Sequence, residues 1–309
     1  MEIIVSFFIE LIFPLLIEVV LVKWRWLTIS GAVAAGILAF VVLILAKWSI
    51  WPLVFFLILG TLAGKFQLKK RAKNVDFLDS DEGVEAIVPV EKALESVEAD
   101  LGEGGDIKQG KARDHWQVLA NGGIFMLLAF LAFMGSSGWL SGILISPAEV
   151  VKFDKTCHLL ALISLSVSCA DTLSSDLGRI WGRSPRCITT GKIVVPGVSG
   201  GVTVAGFFGA LLGGALMAGF VFWTDLSGLG SKSYLFLLVL IFGFIGSILD
   251  SVLGALFQAK YRNSAGHFVD SSDEGKRPLA AGFGWITNDV VNGITGTLML
   301  LLSVVYLCW

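Results

Sequence analysis

The residues best suited to chemistry are carboxylates set among hydroxyls in otherwise apolar sequence. In Ala170-Asp171-Thr172-Leu173-Ser174-Ser175-Asp176-Leu177-Gly178, Asp171 and Ser175 fall one helical turn apart, as do Thr172 and Asp176. Carboxylates beside hydroxyls suit Mg2+, a hard cation that takes oxygen ligands and keeps part of its water shell. The rival role for each is a helix cap or an interhelical hydrogen bond. Asp250, Gly254 and Gln258 form a second stripe at four-residue spacing with Ser251 beside it, although Gly246 and Gly254 would serve close helix packing equally well. Asn121, Asn288, Asp289 and Asn292 add polar groups at the starts of two further apolar runs.

A third element is Thr189-Thr190-Gly191-Lys192-Ile193-Val194-Val195-Pro196-Gly197-Val198-Ser199-Gly200-Gly201-Val202-Thr203. It lacks the G-x-x-x-x-G-K-[ST] spacing of a Walker A loop. Glycines before a helix can still turn backbone N–H groups toward a phosphate, with Lys192 as a point charge; the alternative is a simple turn. Arg179, Arg183 and Arg186 lie between the acidic and glycine segments, either to neutralise phosphates or only to set topology. Ala205, Gly209 and Gly213 recur every four residues and read as helix-packing contacts. The four cysteines and three histidines show no zinc spacing.

The elements that must hold these groups are membrane helices. With 309 residues, 55% of them hydrophobic, mean hydropathy +0.80 and 16% charged, the chain is too apolar for a soluble domain. Apolar runs cover Ile3 to Val22, Leu27 to Ala46, Ile50 to Phe66, Val118 to Met134, Cys157 to Ala170, Ile193 to Phe222, Tyr234 to Phe257 and Phe283 to Leu307. The expected fold is all-α: a polytopic bundle of about eight helices, seven to nine. The first run has no basic n-region and reads as a retained helix, in which Glu10 suits packing and Glu18 sits near the polar end.

Alternating directions assign 19 of the 23 Lys and Arg residues to one side, so the positive-inside rule makes that side cytosolic. Asn121, Asp171, Asp176, Asp250, Asn288, Asp289 and Asn292 then all sit at comparable depth near that face, which points to one site. Three parts are expected: residues 1–66 as an N-terminal helical segment, 67–115 as a flexible polar linker, and 116–309 as the core. The linker is acidic and glycine-containing, with a short amphipathic helix at Val90 to Leu101 as an option. A net charge of −2 gives no reason to expect nucleic acid.

Five stretches together resemble the integral membrane phytyl phosphate kinase family, which includes transmembrane protein 19: Gln117 to Gly123, Ala170 to Gly178, Thr189 to Gly201, Gly246 to Gln258, and Asn288 to Asn292. The resemblance runs from about residue 115 to the C-terminus and extends distantly to CTP-dependent dolichol and phytol kinases and to phosphatidate cytidylyltransferases. It implies phosphoryl transfer from CTP, or another nucleoside triphosphate, to an isoprenoid lipid alcohol or monophosphate. Two departures stand out: Ser174-Ser175-Asp176 replaces Ala-Ser-Glu, and Val198-Ser199 replaces a Thr-Asn pair after the first glycine.

The combined expectation is a Mg2+-dependent lipid kinase. Asp171, Asp176 and Asp250 would hold metal, with Asp289 and Lys192 completing the catalytic set. Asn121, Arg186, Thr190, Gly191, Gly197, Gly200, Gly201, Asn288 and Asn292 would bind nucleotide phosphates, and Ser175, Ser251 and Gln258 would meet substrate. Rival readings are a CDP-lipid-forming cytidylyltransferase, a transporter and a silent scaffold. Membrane lipids are expected partners; homo-oligomerisation and the choice among plasma membrane, endoplasmic reticulum and plastid envelope stay open.

Overall fold

The computed structural model describes residues 16, 19–24, 26–48, 50–79, 113–140, 142–143, 146–182, 184–262, 266, 268–272 and 275–309. Glu10, Glu18, Arg183 and the optional helix at Val90 to Leu101 lie outside them. In order come α1 (Ile29–Phe40, continued by a π turn over Val41–Leu45), α2 (Trp51–Asp79), α3 (His115–Ser136), α4 (Pro147–Trp181), α5 (Val204–Ala218, with a 3-10 turn over Gly219–Phe222), α6 (Lys232–Phe257) and α7 (Asn288–Cys308). Five of these, α3 to α7 with the 3-10 turn, are long and apolar enough to cross a bilayer, while Ile29–Leu45 and Trp51–Gly64 are shorter apolar helices. The expected all-α polytopic bundle is what the chain forms.

Helices suit a bilayer because they satisfy their own backbone groups. Their exposed first N–H groups need caps, and the sequence provides them: Thr28, Asp114, Ser146, Thr203, Ser231 and Thr287 each accept a backbone N–H from the first turn of the following helix. At α4 the cap is reciprocal. Ser146 Oγ accepts from Glu149 N while the Glu149 carboxylate accepts from Ser146 N at 2.8 Å, with Pro147 at the first helical position.

Several boundaries differ from the expected ones. The fifth run, read as Cys157 to Ala170, is the middle of a 35-residue helix. At 1.5 Å per residue it extends about 52 Å, well beyond a hydrocarbon core of about 30 Å. Its N-terminal turns carry Glu149, Lys152, Asp154 and Lys155, so hydropathy alone excludes them. The sixth run begins later than Ile193, because residues 193–203 form turns and β2 rather than helix. In addition α2 continues to Asp79, into the segment expected to be linker.

α4 is the axle of the bundle, packing on α2, α3, α5, α6 and α7. Every residue from Leu159 to Val167 is buried, as a helix apolar on all sides requires. Gly206, Gly209 and Gly213 bring α5 onto α4: a Cβ at Gly206 would lie 3.2 Å from Ser174 O, and those at Gly209 and Gly213 would meet the carbonyls of Leu173 and Cys169. The expected packing stripe holds, with Gly206 in the place given to Ala205. Across α6, Gly243 and Gly246 seat against Ser166 and Val167.

Small antiparallel pairs stitch the polar ends. β1 (Arg186–Cys187) pairs with β2 (Gly201–Val202); β3 (Lys260–Arg262) lies between β4 (Phe268–Val269) and β5 (Leu279–Ala281). Eight of the ten tryptophans are exposed, four at each end of the bundle: Trp24, Trp116, Trp181 and Trp285 at the end bearing these strands, and Trp51, Trp139, Trp223 and Trp309 at the other. Such rings collect at membrane–water interfaces.

Candidate active site

One face of the last turns of α4 presents Asp171, Thr172, Ser175, Asp176 and Arg179, the i, i+1, i+4, i+5, i+8 set of a helix surface. They form one wall of a cavity of about 620 Å³. Asn121 on α3, Gly60, Thr61 and Gly64 on α2, and Asn288, Asp289 and Asn292 on α7 line it as well. The charged neighbours of Asp171 are Asp250, Arg179 and Asp176. Asn121 lies about 9 Å into α3, Asn292 about 6 Å into α7 and Asp171 about 15 Å from the C-terminal end of α4, a helix longer than the hydrocarbon core is thick, so the lining groups sit toward the polar ends of their helices.

Arg113 closes a second side. Its backbone bridges to residues 26–28: Arg113 N donates to Trp26 O at 3.0 Å, and Thr28 N donates to Arg113 O at 3.0 Å. The guanidinium lies 5.4 Å from the Phe56 ring centroid, next to Gly60, with Asp176 as its charged neighbour. Desolvation draws its pKa below the usual arginine range and Asp176 opposes that. Gly60 lets α2 approach, since a Cβ there would meet the guanidinium, while a Cβ at Gly64 would make only an ordinary contact with Asp176 Oδ2 at 3.9 Å. Asn121 donates its side-chain amide to Gln117 O at 2.8 Å.

Asp250 is buried and engaged. Its Oδ2 accepts from Thr295 Oγ1 at 3.1 Å and, in the amide orientation its surroundings require, from Asn292 at 3.0 Å. With Ser251, Gly200 and Gly201 it borders a side cavity of about 80 Å³, which shares Asp171, Ser175, Arg179, Gly197 and Asn288 with the main one. The third side is a polar knot. Asp270 accepts from Ser199 N at 3.0 Å and from Gln258 Nε2 at 3.1 Å, while Ser199 Oγ donates to Gln258 Oε1 at 2.8 Å. Behind it, Lys260 Nζ donates to Gly254 O at 2.7 Å and Ala255 O at 3.0 Å, capping the C-terminus of α6 where a cation is favoured.

The fold therefore gathers Asn121, Asp171, Ser175, Asp176, Gly197, Gln258, Asn288, Asp289 and Asn292 around one cavity, with Asp250, Ser251, Gly200 and Gly201 around its side extension. Thr190, Gly191, Lys192 and Arg186 line neither. They form a surface hairpin in which Arg186 donates to Gly191 O at 2.9 Å, and Lys192 is exposed. The glycine segment is shaped by packing as much as by any ligand: Gly200 has φ +81° and a Cβ there would meet Ala255. The three carboxylates expected to ligate metal do not make a metal-holding cluster by themselves, and no other group of three or more His, Cys, Asp or Glu does so among the described residues.

Arg113 and Asp270 are the charged lining residues that sequence reasoning missed. Both fell in polar loops; the one available sign was Asp114, a capping residue that places Arg113 just outside a helix start.

A model of integral membrane proteins designated DUF92 matches residues 12–300. The chain belongs to the DUF92 integral membrane family. It is 27% identical over 265 residues to a membrane protein of Methanocaldococcus jannaschii described as uncharacterized, covering 84% of this chain and 87% of that one. It is 36% identical over 162 residues to Protein PGR of Arabidopsis thaliana, covering 50% of this chain and 54% of that protein. A Synechocystis membrane protein, also described as uncharacterized, is 29% identical over 131 residues, 42% of this chain and 41% of its own length. No solved structure matches. The DUF92 match takes in all of the cavity-lining residues named above.

Proposed function

We propose that this DUF92 protein is an isoprenoid lipid kinase that transfers a phosphoryl group from CTP, or another nucleoside triphosphate, to a polyprenyl or phytyl phosphate at the cytosolic membrane face. The observation that carries the reading is the joining of Asp171, Asp176 and Asp289 with Arg113 and Arg179 in one cavity at a helix-end level. Phosphoryl transfer needs positioning and charge neutralisation more than covalent help, and this wall offers both signs of charge. A transporter would hold its binding groups near the midplane instead.

Mg2+ commonly takes one or two carboxylates and completes its shell with phosphate and water, so Asp171 and Asp176 suffice to hold it once nucleotide is present. When bound it would neutralise phosphate charge. Arg113 and Arg179 would bind the phosphates, with Asn121, Asn288 and Asn292 fixing their orientation through amide donors. Asp289, in the first turn of α7, would accept a proton where the acceptor is an alcohol. The knot of Asp270, Ser199 and Gln258 would hold the glycine segment in place as part of the wall. Purified protein supplied with CTP, Mg2+ and phytyl, farnesyl or geranylgeranyl monophosphate should yield the diphosphate. Product mass separates this from CDP-lipid formation, and inactivity with every nucleotide and acceptor would overturn the proposal.

A further inference from the structure

α1 packs on α3 and α2 packs on α4, so α1 and α2 diverge and leave a cleft floored by α3. Within it lies an apolar cavity of about 80 Å³, lined by Leu38 of α1, Leu53, Val54 and Leu57 of α2, and Val118 and Gly122 of α3. Gly122 is needed there, because a Cβ would sit 2.6 Å from Leu38 Cδ1. Arg113, Gln117 and Asn121 border this cavity and the polar one alike.

Helices α2 and α3 reach both cavities. Along α2 the apolar lining at 53–57 lies farther from the polar end than Gly60, Thr61 and Gly64 of the polar wall; on α3, Gln117 and Asn121 line both cavities, and Val118 and Gly122 beside them line the apolar one alone. Along α2 the apolar cavity thus lies deeper from the polar face, and the shared amides and guanidinium mark the border. That is the polarity of a lipid phosphate: head at the interface, chain below.

We infer that the cleft between α1 and α2 holds the phosphate-proximal isoprene unit of the acceptor lipid. This rests on the lipid kinase reading for the substrate class. A water needs on the order of 10–15 Å³ measured this way, so the cavity takes the equivalent of roughly five to eight waters, about one five-carbon unit. The rest of the chain leaves sideways past Leu53, Val54 and Leu57, which are only half-buried. Selection therefore acts on the first unit, and chains from two to four units long should be used alike.

The experiment is photolabelling of the purified full chain in lipid vesicles with geranylgeranyl monophosphate carrying a diazirine in its first isoprene unit. Labels are expected on the peptides containing Leu53–Leu57 and Val118–Gly122, displaced by unlabelled geranylgeranyl monophosphate and not by squalene. Val54→Trp, checked for monodisperse elution, should cut labelling at least tenfold. Labels on α6 or α7, equal displacement by squalene, or unchanged labelling of Val54→Trp would each overturn the inference. Labelling needs no turnover, so a labelled cleft in an inactive protein sinks the kinase and leaves the lipid site standing. Phosphoryl transfer with labels elsewhere does the reverse.

Discussion

Thr295 on α7 donates a 3.1 Å hydrogen bond to Asp250 on α6, and both residues are buried. The carboxylate expected to ligate metal is therefore also a brace between two helices that border the cavity. Asn292 meets the same oxygen from one turn earlier. Thr295→Val should cost about 1.5–3 kcal/mol, the range for a hydrogen bond to a charged group, and lower the midpoint of thermal unfolding in detergent. Nucleotide affinity measured by calorimetry should change little. A loss of nucleotide binding without a change in melting would show that Asp250 faces the ligand instead.

Arg113 should be more than a topological charge. Its guanidinium borders both cavities and neighbours Asp176. Arg113→Ala is expected to weaken nucleotide or lipid phosphate binding by tenfold or more, and Arg113→Lys to recover only part, since lysine lacks the fork. By contrast Lys192→Ala, outside the cavity, should leave nucleotide affinity within about twofold. Calorimetric titration of the three variants distinguishes these outcomes.

Glycine positions offer a paired stability test. At Gly209 a side chain would meet the Leu173 carbonyl, whereas Gly123 has open space around it. Gly209→Leu should destabilise by at least the 1–3 kcal/mol typical of overpacking and separate α5 from α4, while Gly123→Leu should fold normally. Comparing yields of monodisperse protein and melting temperatures reads the difference.

Cys187 carries the pH prediction. Burial opposes its ionisation, but hydrogen bonds from Thr189 and Thr190 outweigh that and bring the thiol from the ordinary 9.0 down to about 7. A depressed folded pKa means that the stabilisation is fully present above about pH 9 and is lost as pH falls through about 7. Maleimide alkylation of Cys187 should rise with a midpoint near pH 7, and Thr189→Val should move that midpoint upward. A midpoint that stays near 9.0 would contradict the geometry.

How far the sequence reveals this molecule depends on the residue. The membrane spans and the polar face are legible because apolar runs and periodic small residues are local properties, and Asp171, Asn121 and Asn292 fall in the halves nearest one face of helices that alternate direction. The N-terminal third of α4 is not, because its charged turns defeat a hydropathy scan, even though Ser146, Pro147 and Glu149 spell out a helix start. Lys192 looks like a phosphate ligand beside glycines, yet the β1–β2 hairpin turns that end of the segment to the surface. Asp270 and Arg113 join the site only through long-range contacts, with Ser199 and with Trp26, which no local pattern encodes.

The two rings of exposed tryptophans fix how high the protein rides in its membrane. Four indoles at each end resist vertical displacement, so the mouth of the polar cavity is pinned at headgroup level. On the lipid kinase proposal, an amphiphile already in that leaflet would meet the carboxylates by lateral diffusion alone. Its tail never has to be lifted into water, which removes the largest energetic obstacle to handling a long hydrocarbon.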